Sequence, residues 1–312
     1  MPAIKNYLSL IKFSHTIFAL PFALIGFSLG IVQWNNLTEF FSANELATDT
    51  ELLHHYLFPI STNEIIIRFV AVLICMVSAR SAAMAFNRYL DRHFDAINPR
   101  TAIREIPAGI ISASEALRFT IISCIIFIAA TWFINPLCLW LSPVALFVVL
   151  FYSYTKRFTA LCHIVLGIGL SLAPIGAYIA VTGRFDALPL LFSFAVIGWV
   201  SGFDIIYALQ DEQFDKANYL YSIPAMLGVS KGLKVSELLH VLSFSCIVGA
   251  GVYGKMGVLY WVGAAVFGGM LVYQHRLVKP GDLSKVNLAF MTTNGIASVV
   301  FAIFVITDLF FN

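Results

Sequence analysis

Apolar runs of membrane-spanning length alternate with short polar loops along almost the whole chain. A helix needs roughly 20 apolar residues to cross a bilayer, so this pattern predicts an all-α, multispanning membrane helical bundle. The predicted spans, about nine at that length, cover residues 14–33, 65–86, 116–134, 137–154, 161–182, 188–207, 236–254, 257–275 and 288–310. We expect these helices to surround a central cavity and to form one integral-membrane domain over residues 1–312.

Two polar segments follow apolar runs, NRYLDRHFD and DIIYALQDEQFD. Their oxygen-bearing residues are Asn87, Asp91 and Asp95 in the first segment, and Asp204, Asp211 and Asp215 in the second. Residues four apart share a helix face, with about 6 Å of rise between them. Each segment therefore predicts a row of oxygen ligands.

Such rows suit a hard cation. Magnesium prefers oxygen ligands and is usually held by one or two carboxylates together with substrate phosphates. The predicted ligands of Mg²⁺ are Asp91, Asp95, Asp211 and Asp215, with Asn87 as a neutral oxygen donor that also contacts substrate. The expected substrate is therefore a diphosphate.

Composition agrees with a membrane protein, because 60% of the 312 residues are hydrophobic and only 12% are charged. These values lie far from those of soluble domains. The five cysteines show no CxxC spacing, which argues against a disulfide framework or a zinc site. We expect the lipid bilayer as a partner and no nucleic acid.

Basic residues predict the orientation, because short loops rich in Lys and Arg stay on the cytoplasmic side. Most of the 19 basic residues fall in alternate loops on one side, whereas Arg184 and Lys255 lie on the other. The acidic segment 34–64 lies on that second side and contains no Lys or Arg. We therefore expect the protein in the inner (cytoplasmic) membrane, with its N-terminus in the cytoplasm. Both acidic segments are expected at the cytoplasmic mouth of one cavity.

Arg80 and Asp204 precede Asn87 and Asp211 by seven positions each. Each is therefore expected on nearly the same helix face, two turns deeper. A charge at bilayer depth costs about 2.5–3.5 kcal/mol on insertion scales and usually faces a cavity or a partner. The two residues either form a structural ion pair or line a reaction chamber.

The segments NRYLDRHFDAINPRTAIREIPAG, YSYTKRFT and DIIYALQDEQFD, in this order, resemble the UbiA superfamily of intramembrane aromatic prenyltransferases. The resemblance implies an all-helical fold with a lateral opening to lipid and two aspartate-rich motifs over a central cavity. It also implies that the chain takes an isoprenyl diphosphate and an aromatic acceptor, and releases pyrophosphate. The segment IKFSHTIFALPFALIG resembles the branch of 4-hydroxybenzoate polyprenyltransferases that includes menaquinone enzymes of the futalosine route.

Basic residues near the motifs are candidates for binding the diphosphate. Lys156 and Arg157 end the fourth span, and the matching family segment implies that they contact diphosphate oxygens. Arg104 is either another diphosphate clamp or a cation that stabilises its loop. Asp204 is the leading candidate to orient or polarise the phenolic group of the acceptor. Arg80 binds either pyrophosphate or an acceptor carboxylate, and the sequence leaves both roles open.

Alternatives remain for the acceptor and for the class of protein. The acceptor is 4-hydroxybenzoate, a related aromatic acid or a dihydroxynaphthoate-type menaquinone precursor. A membrane transporter would also have many spans and charged cavity residues, although it does not require two diphosphate motifs on one face.

The histidines add little at this level. His15 either contacts the acceptor or packs within its helix, and His54 and His55 are expected to be solvated. His163 and His240 lie beside apolar spans and form no convincing general-base pair.

Overall fold

The computed structural model describes residues 4–12, 18–43 and 60–311. His15, His54, His55 and residues 44–59 of the acidic segment lie outside the described residues, so the predictions made for them stay predictions.

The described chain is helical, apart from one isolated bridge between Lys279 and Asp282. In chain order the helices are α1 Ile4–Leu10, α2 Leu20–Ala43, α3 Thr62–Ile97, α4 Ala113–Trp132, α5 Pro136–Thr155, α6 Cys162–Thr182, α7 Ala187–Ala208, α8 Glu212–Ala217, α9 Ile223–Leu227, α10 Val229–Tyr253, α11 Val258–Leu277 and α12 Asn294–Phe311. A 3₁₀ turn, Leu209–Asp211, joins α7 to α8, and a π turn, Leu288–Thr293, leads into α12.

Seven helices within the described residues are long and apolar enough to cross a membrane. They are Thr62–Ile97, Ala113–Trp132, Pro136–Thr155, Cys162–Thr182, Ala187–Ala217, Val229–Tyr253 and Leu288–Phe311. The all-α multispanning bundle is therefore confirmed.

The other two predicted spans, 14–33 and 257–275, overlap α2 and α11, which are 24 and 20 residues long. Helix α2 begins six residues after the predicted start and continues ten residues past the predicted end at residue 33. The total of nine spans stays a prediction.

The helices pack in two groups. Helices α2, α6, α7, α10, α11 and α12 enclose an aromatic core in which Trp199 lies 5.2 Å from Phe22 and 5.8 Å from Phe267, measured between ring centroids. Tilted and edge-on ring pairs of this kind add about 0.5–1.5 kcal/mol beyond their burial. Helices α3, α4 and α5 form the second group, which packs on α6. A cavity lies between α3 and α7 and is lined by both helices.

Local sequence explains where the helices next to this cavity begin and end. Ser61 caps α3 and forms a reciprocal capping box with Glu64, and Asn135 caps α5 through the backbone N–H of Cys138. Gly183 ends α6 with a φ of 66°, a left-handed conformation that favours glycine. These caps give α3, α5 and α6 defined ends.

The two acidic segments adopt different backbones. Helix α3 continues past the predicted span end at residue 86 to Ile97, so Asn87, Asp91 and Asp95 form one row on a continuous helix, as predicted.

The prediction of a second straight row is wrong. Asp204 lies on α7, Asp211 in the 3₁₀ turn and Asp215 on α8. A 3₁₀ turn has three residues per turn instead of 3.6, so it rotates the following residues out of the helical register. The second segment therefore bends around the cavity.

Candidate active site

A polar cavity of about 660 Å³ lies at the ends of α3, α5 and α7. All ten predicted site residues line it, namely Arg80, Asn87, Asp91, Asp95, Arg104, Lys156, Arg157, Asp204, Asp211 and Asp215. The two acidic segments, which are more than 100 positions apart in sequence, therefore face one space.

The carboxylates of the first segment are each held by an arginine. Nη2 of Arg157 lies 2.8 Å from Oδ1 of Asp91, and Nη1 of Arg104 lies 2.6 Å from Oδ1 of Asp95. Asn87 donates its amide N–H to Oδ2 of Asp91 at 3.0 Å. Arg104 therefore contacts a motif carboxylate as well as stabilising its loop.

The carboxylates of the second segment are paired across the cavity. Arg100, in the loop after α3, donates from Nε to Oδ1 of Asp211 at 3.0 Å and from Nη1 to the Tyr207 hydroxyl at 3.1 Å. Nζ of Lys156 lies 2.8 Å from Oδ1 of Asp215, whose other oxygen accepts a hydrogen bond from Ser222.

The acid partners keep the two cations of the cavity rim charged. Burial lowers the pKa of Lys156, but the charge of Asp215 and its hydrogen bond outweigh burial and raise the pKa above its ordinary value. Burial likewise lowers the pKa of Arg100, and the hydrogen bond and charge of Asp211 raise it overall. Both side chains are therefore positively charged at neutral pH.

The donor set of the cavity fits a magnesium ion brought by its substrate. Among the described residues, no group of three or more His, Cys, Asp or Glu side chains is placed to hold a metal by itself. Magnesium does not need such a cluster when phosphate oxygens and water complete its shell. Oδ2 of Asp95 is buried and makes no hydrogen bond to any described residue, and Nη1 of Arg88 lies 3.9 Å from it. This oxygen therefore has an unused lone pair, as a metal ligand requires.

Arg80 and Asp204 do not form the structural ion pair that the sequence allowed. Within the described part of the chain, Asp204 is paired with His163, whose Nδ1 lies 2.6 Å from Oδ2 of the carboxylate. Nε of Arg80 is buried and has no hydrogen-bond partner there. The chamber alternative agrees with this arrangement, because both residues line the polar cavity.

Sequence reasoning missed His163, Asn98 and Arg100 as cavity residues. His163 and Asp204 are 41 positions apart, and no local pattern links them. Asn98 donates to Asp211 at 3.3 Å across 113 positions. Pro99 favours a turn at this position, because the residue before proline is biased away from the helix, but this local signal does not identify partners across the cavity.

An apolar cavity of about 310 Å³ adjoins the polar one and is lined mainly by α3, α5 and α6. Arg80, Met84 and Tyr152 line both cavities and mark their junction. The lining also includes Val144 and Phe185, which are exposed on the outer surface of the bundle. The apolar cavity therefore reaches the surface that faces lipid.

Aromatic rings form one wall of the polar cavity. Phe290 lies 4.3 Å from Tyr207 and 5.4 Å from Phe203, measured between ring centroids. Phe290 lies in the π turn. Two buried side-chain amides donate hydrogen bonds to the backbone carbonyls of this turn, Gln274 to that of Ala289 and Asn294 to that of Phe290. Single π turns of this kind occur frequently at functional sites.

The helical bundle and its cavity of paired acidic and basic side chains are typical of an integral-membrane enzyme. The sequence profile of the UbiA prenyltransferase family matches residues 59–296. The chain therefore belongs to the UbiA prenyltransferase family, and it is a prenyltransferase. The alternative of a membrane transporter is accordingly set aside.

Curated relatives carry the name 4-hydroxybenzoate octaprenyltransferase. The protein from Tolumonas auensis is 30% identical over 224 residues, which cover 72% of this chain and 78% of the relative. The protein from Nitrosomonas europaea is 32% identical over 236 residues, which cover 74% of this chain and 79% of the relative.

Solved structures share the fold. The apo structure of a UbiA homolog from Aeropyrum pernix K1 has a TM-score of 0.73 and 27% identity, with coverage of 95% of this chain and 97% of that chain. A UbiA homolog from Archaeoglobus fulgidus bound to DMAPP and Mg²⁺ has a TM-score of 0.70 and 17% identity, with coverage of 98% and 100%.

Proposed function

We propose that this enzyme transfers a polyprenyl group from an isoprenyl diphosphate to an aromatic quinone precursor, 4-hydroxybenzoate or a related aromatic acid, in a magnesium-dependent reaction. The names of the relatives support the acceptor, and the structural relative bound to DMAPP and Mg²⁺ supports the donor and the metal. The observation that carries the proposal is the polar cavity, where two acidic segments and seven Lys and Arg side chains meet beside an apolar cavity.

The diphosphate is proposed to lie in the polar cavity. Asp91, Asp95, Asp211 and Asp215, with Asn87, would hold magnesium, and bound Mg²⁺ supplies positive charge to a departing pyrophosphate. Lys156, Arg157, Arg100 and Arg104 now contact these carboxylates. Fixed cations at this position stabilise the charge that develops on the leaving group.

The prenyl chain is proposed to occupy the apolar cavity and to extend through its opening into lipid. When the allylic carbon–oxygen bond breaks, pyrophosphate leaves with the electron pair. The aromatic ring supplies the electron pair of the new carbon–carbon bond, and the proton on that ring carbon is then lost. The apolar lining protects the allylic carbon from water.

The acceptor is proposed to lie two helical turns below the diphosphate, about 10 Å along the axis. There Asp204 accepts the phenolic proton, which raises the electron density of the ring. Arg80 is proposed to bind the acceptor carboxylate, because it lies at the depth of Asp204 and the buried Nε has no hydrogen-bond partner among the described residues.

In a cell, the enzyme is proposed to lie in the inner (cytoplasmic) membrane as one integral domain, with its N-terminus and the cavity mouth in the cytoplasm. The basic residues of the cavity mouth support this orientation, because positively charged loops stay on the cytoplasmic side.

The test is a transfer assay with purified protein in nanodiscs. Dimethylallyl, geranyl and longer isoprenyl diphosphates are each supplied with Mg²⁺ and with 4-hydroxybenzoate or 1,4-dihydroxy-2-naphthoate, and products are identified by mass. The proposal expects a prenylated 4-hydroxybenzoate and one pyrophosphate per product. If only the naphthoate is prenylated, the acceptor is a dihydroxynaphthoate instead of 4-hydroxybenzoate. Absence of any Mg²⁺-dependent product would overturn the proposal.

A further inference from the structure

The contact between His163 and Asp204 joins two helices inside the bundle. His163 lies in the first turn of α6 and is only 3% exposed, whereas the Asp204 side chain on α7 is 25% exposed and lines the polar cavity. Nδ1 of His163 is 2.6 Å from Oδ2 of Asp204. The imidazole therefore contacts the carboxylate from its buried side, and both residues line the polar cavity.

The second ring nitrogen determines where the imidazole proton lies. Nε2 of His163 accepts the backbone N–H of Ile223 at 3.4 Å, at the start of α9. An accepting nitrogen carries no proton, so the proton is on Nδ1 and is donated to Asp204. This arrangement makes Nδ1 of the imidazole a hydrogen-bond donor to Oδ2 of the carboxylate.

The backbones of α6 and α7 approach closely beside this pair. Ser201 on α7 donates to the backbone carbonyl of His163 at 3.1 Å. Four residues after His163, a Cβ on Gly167 would lie 2.5 Å from Ser201 Oγ and 2.8 Å from the Ile197 carbonyl oxygen. Only glycine permits this separation, which fixes the imidazole next to Asp204.

The two carboxylate oxygens of Asp204 have different surroundings. Oδ1 of Asp204 has no hydrogen-bond partner among the described residues, while Oδ2 is occupied by His163. A buried carboxylate without a donor is costly to ionise. One strong, charge-assisted hydrogen bond offsets much of that cost and also restricts the side-chain rotation.

We propose that His163 is a positioning residue for prenyl transfer, which holds Oδ2 of Asp204 by a hydrogen bond and directs Oδ1 at the phenolic group of the aromatic acceptor. This inference rests on the proposed function and deepens it. In the reaction, the phenolic O–H bond breaks and its proton passes to Oδ1 of Asp204. After the ring carbon has bonded to the prenyl group, its own proton passes to the released pyrophosphate, and Asp204 returns the first proton to the phenolic oxygen. His163 keeps its Nδ1 proton throughout.

The experiment compares two substitutions of the same imidazole. His163→Leu removes the donor with little change in volume. His163→Asn places an amide N–H near the former Nδ1 and restores the donor. His240→Ala is the control, because His240 is also buried next to α7 but lies outside both cavities and pairs with His275. Each protein is assayed with geranyl diphosphate, Mg²⁺ and 4-hydroxybenzoate.

The inference expects kcat of His163→Leu to fall about 100-fold, the upper end of the loss seen when a supporting hydrogen-bond partner is removed. His163→Asn should recover to within about tenfold of the wild type, and His240→Ala should keep its rate within about threefold. The rise in Tm caused by geranyl diphosphate and Mg²⁺ should be unchanged in His163→Leu, because the diphosphate contacts lie two turns away.

The outcomes separate the two proposals. If the wild type transfers the prenyl group, three results would overturn the role of His163 but not the proposed function. These are an equal loss of kcat in His163→Leu and His163→Asn, no loss in either variant, and loss of the diphosphate-induced rise in Tm in His163→Leu. A wild-type enzyme that prenylates no phenolic acid would overturn the proposed function and this inference with it.

Discussion

Nζ of Lys156, directly after α5, lies 2.8 Å from Oδ1 of Asp215 on α8. The Asp215 side chain is fully buried, and its partner is on a different helix 59 positions earlier. The pair links the basic residues after α5 to the second acidic segment. Removal of one partner should therefore affect stability as well as substrate binding.

Lys156→Met should raise the KM for isoprenyl diphosphate by about 10-fold to 100-fold, since hydrogen bonds to charged groups contribute about 1.5–3 kcal/mol. It should also lower Tm, because the Asp215 charge is left buried without its partner. The double variant Lys156→Met with Asp215→Asn should recover Tm but not transfer. Lys216→Met, at an exposed lysine paired with Glu212, is the matched control. Unchanged KM in Lys156→Met would contradict the assigned contact.

Asp91→Ala and Asp211→Ala should each reduce transfer by at least about 100-fold, because each removes a proposed magnesium ligand and leaves Arg157 or Arg100 unpaired. Chelation by EDTA should abolish wild-type transfer, and added Mg²⁺ should restore it. Asp282→Ala, on an exposed loop, is the control. Ordinary activity in both cavity variants would reject the metal roles.

Gly176→Leu should shorten the accepted prenyl chain. Gly176 on α6 lines the apolar cavity, and a Cβ there meets no atom within 4 Å. The added side chain would therefore fill space proposed for the prenyl group. Transfer from long donors should fall relative to dimethylallyl diphosphate by about tenfold or more, a typical discrimination in an apolar pocket.

Gly249→Leu is the matched control for chain length, because a Cβ at Gly249 on α10 also meets no atom within 4 Å and the residue lines neither cavity. The measurement is the kcat/KM ratio between geranylgeranyl and dimethylallyl diphosphate in each variant. An unchanged ratio in Gly176→Leu would place the prenyl chain elsewhere.

Asn294→Leu should lower Tm through loss of a buried polar contact. Oδ1 of Asn294 accepts the indole N–H of Trp199 at 2.8 Å, and its amide donates to the Phe290 carbonyl at 2.9 Å. Each group left buried without a partner costs about 1–3 kcal/mol. Addition of Trp199→Phe should recover part of the loss, because it removes the stranded N–H. Thr307→Val, at a partly exposed residue of α12, is the control, and an equal drop in Tm there would contradict the assignment.

The sequence by itself determined the fold class, most of the spans and the meeting of the two acidic segments at one end of the bundle. Each of these properties depends on residues close together in the sequence or on the number and order of the apolar runs. An apolar run of sufficient length must be a helix in lipid, since its backbone groups have no other partners there. Four-residue spacing placed Asn87, Asp91 and Asp95 on one face because α3 continues without a break.

Only the tertiary structure decided which cation meets which carboxylate, where α7 gives way to the 3₁₀ turn, and that Asp204 pairs with His163 instead of Arg80. Apart from Arg104 and Asp95, which are nine positions apart, these partners are 41 or more positions apart, and their contact depends on how closely two segments approach. At α6 and α7 that approach is set by Gly167 against Ser201, a packing relationship that hydropathy and spacing do not encode. Side-chain pairing inside a bundle is therefore a property of helix packing.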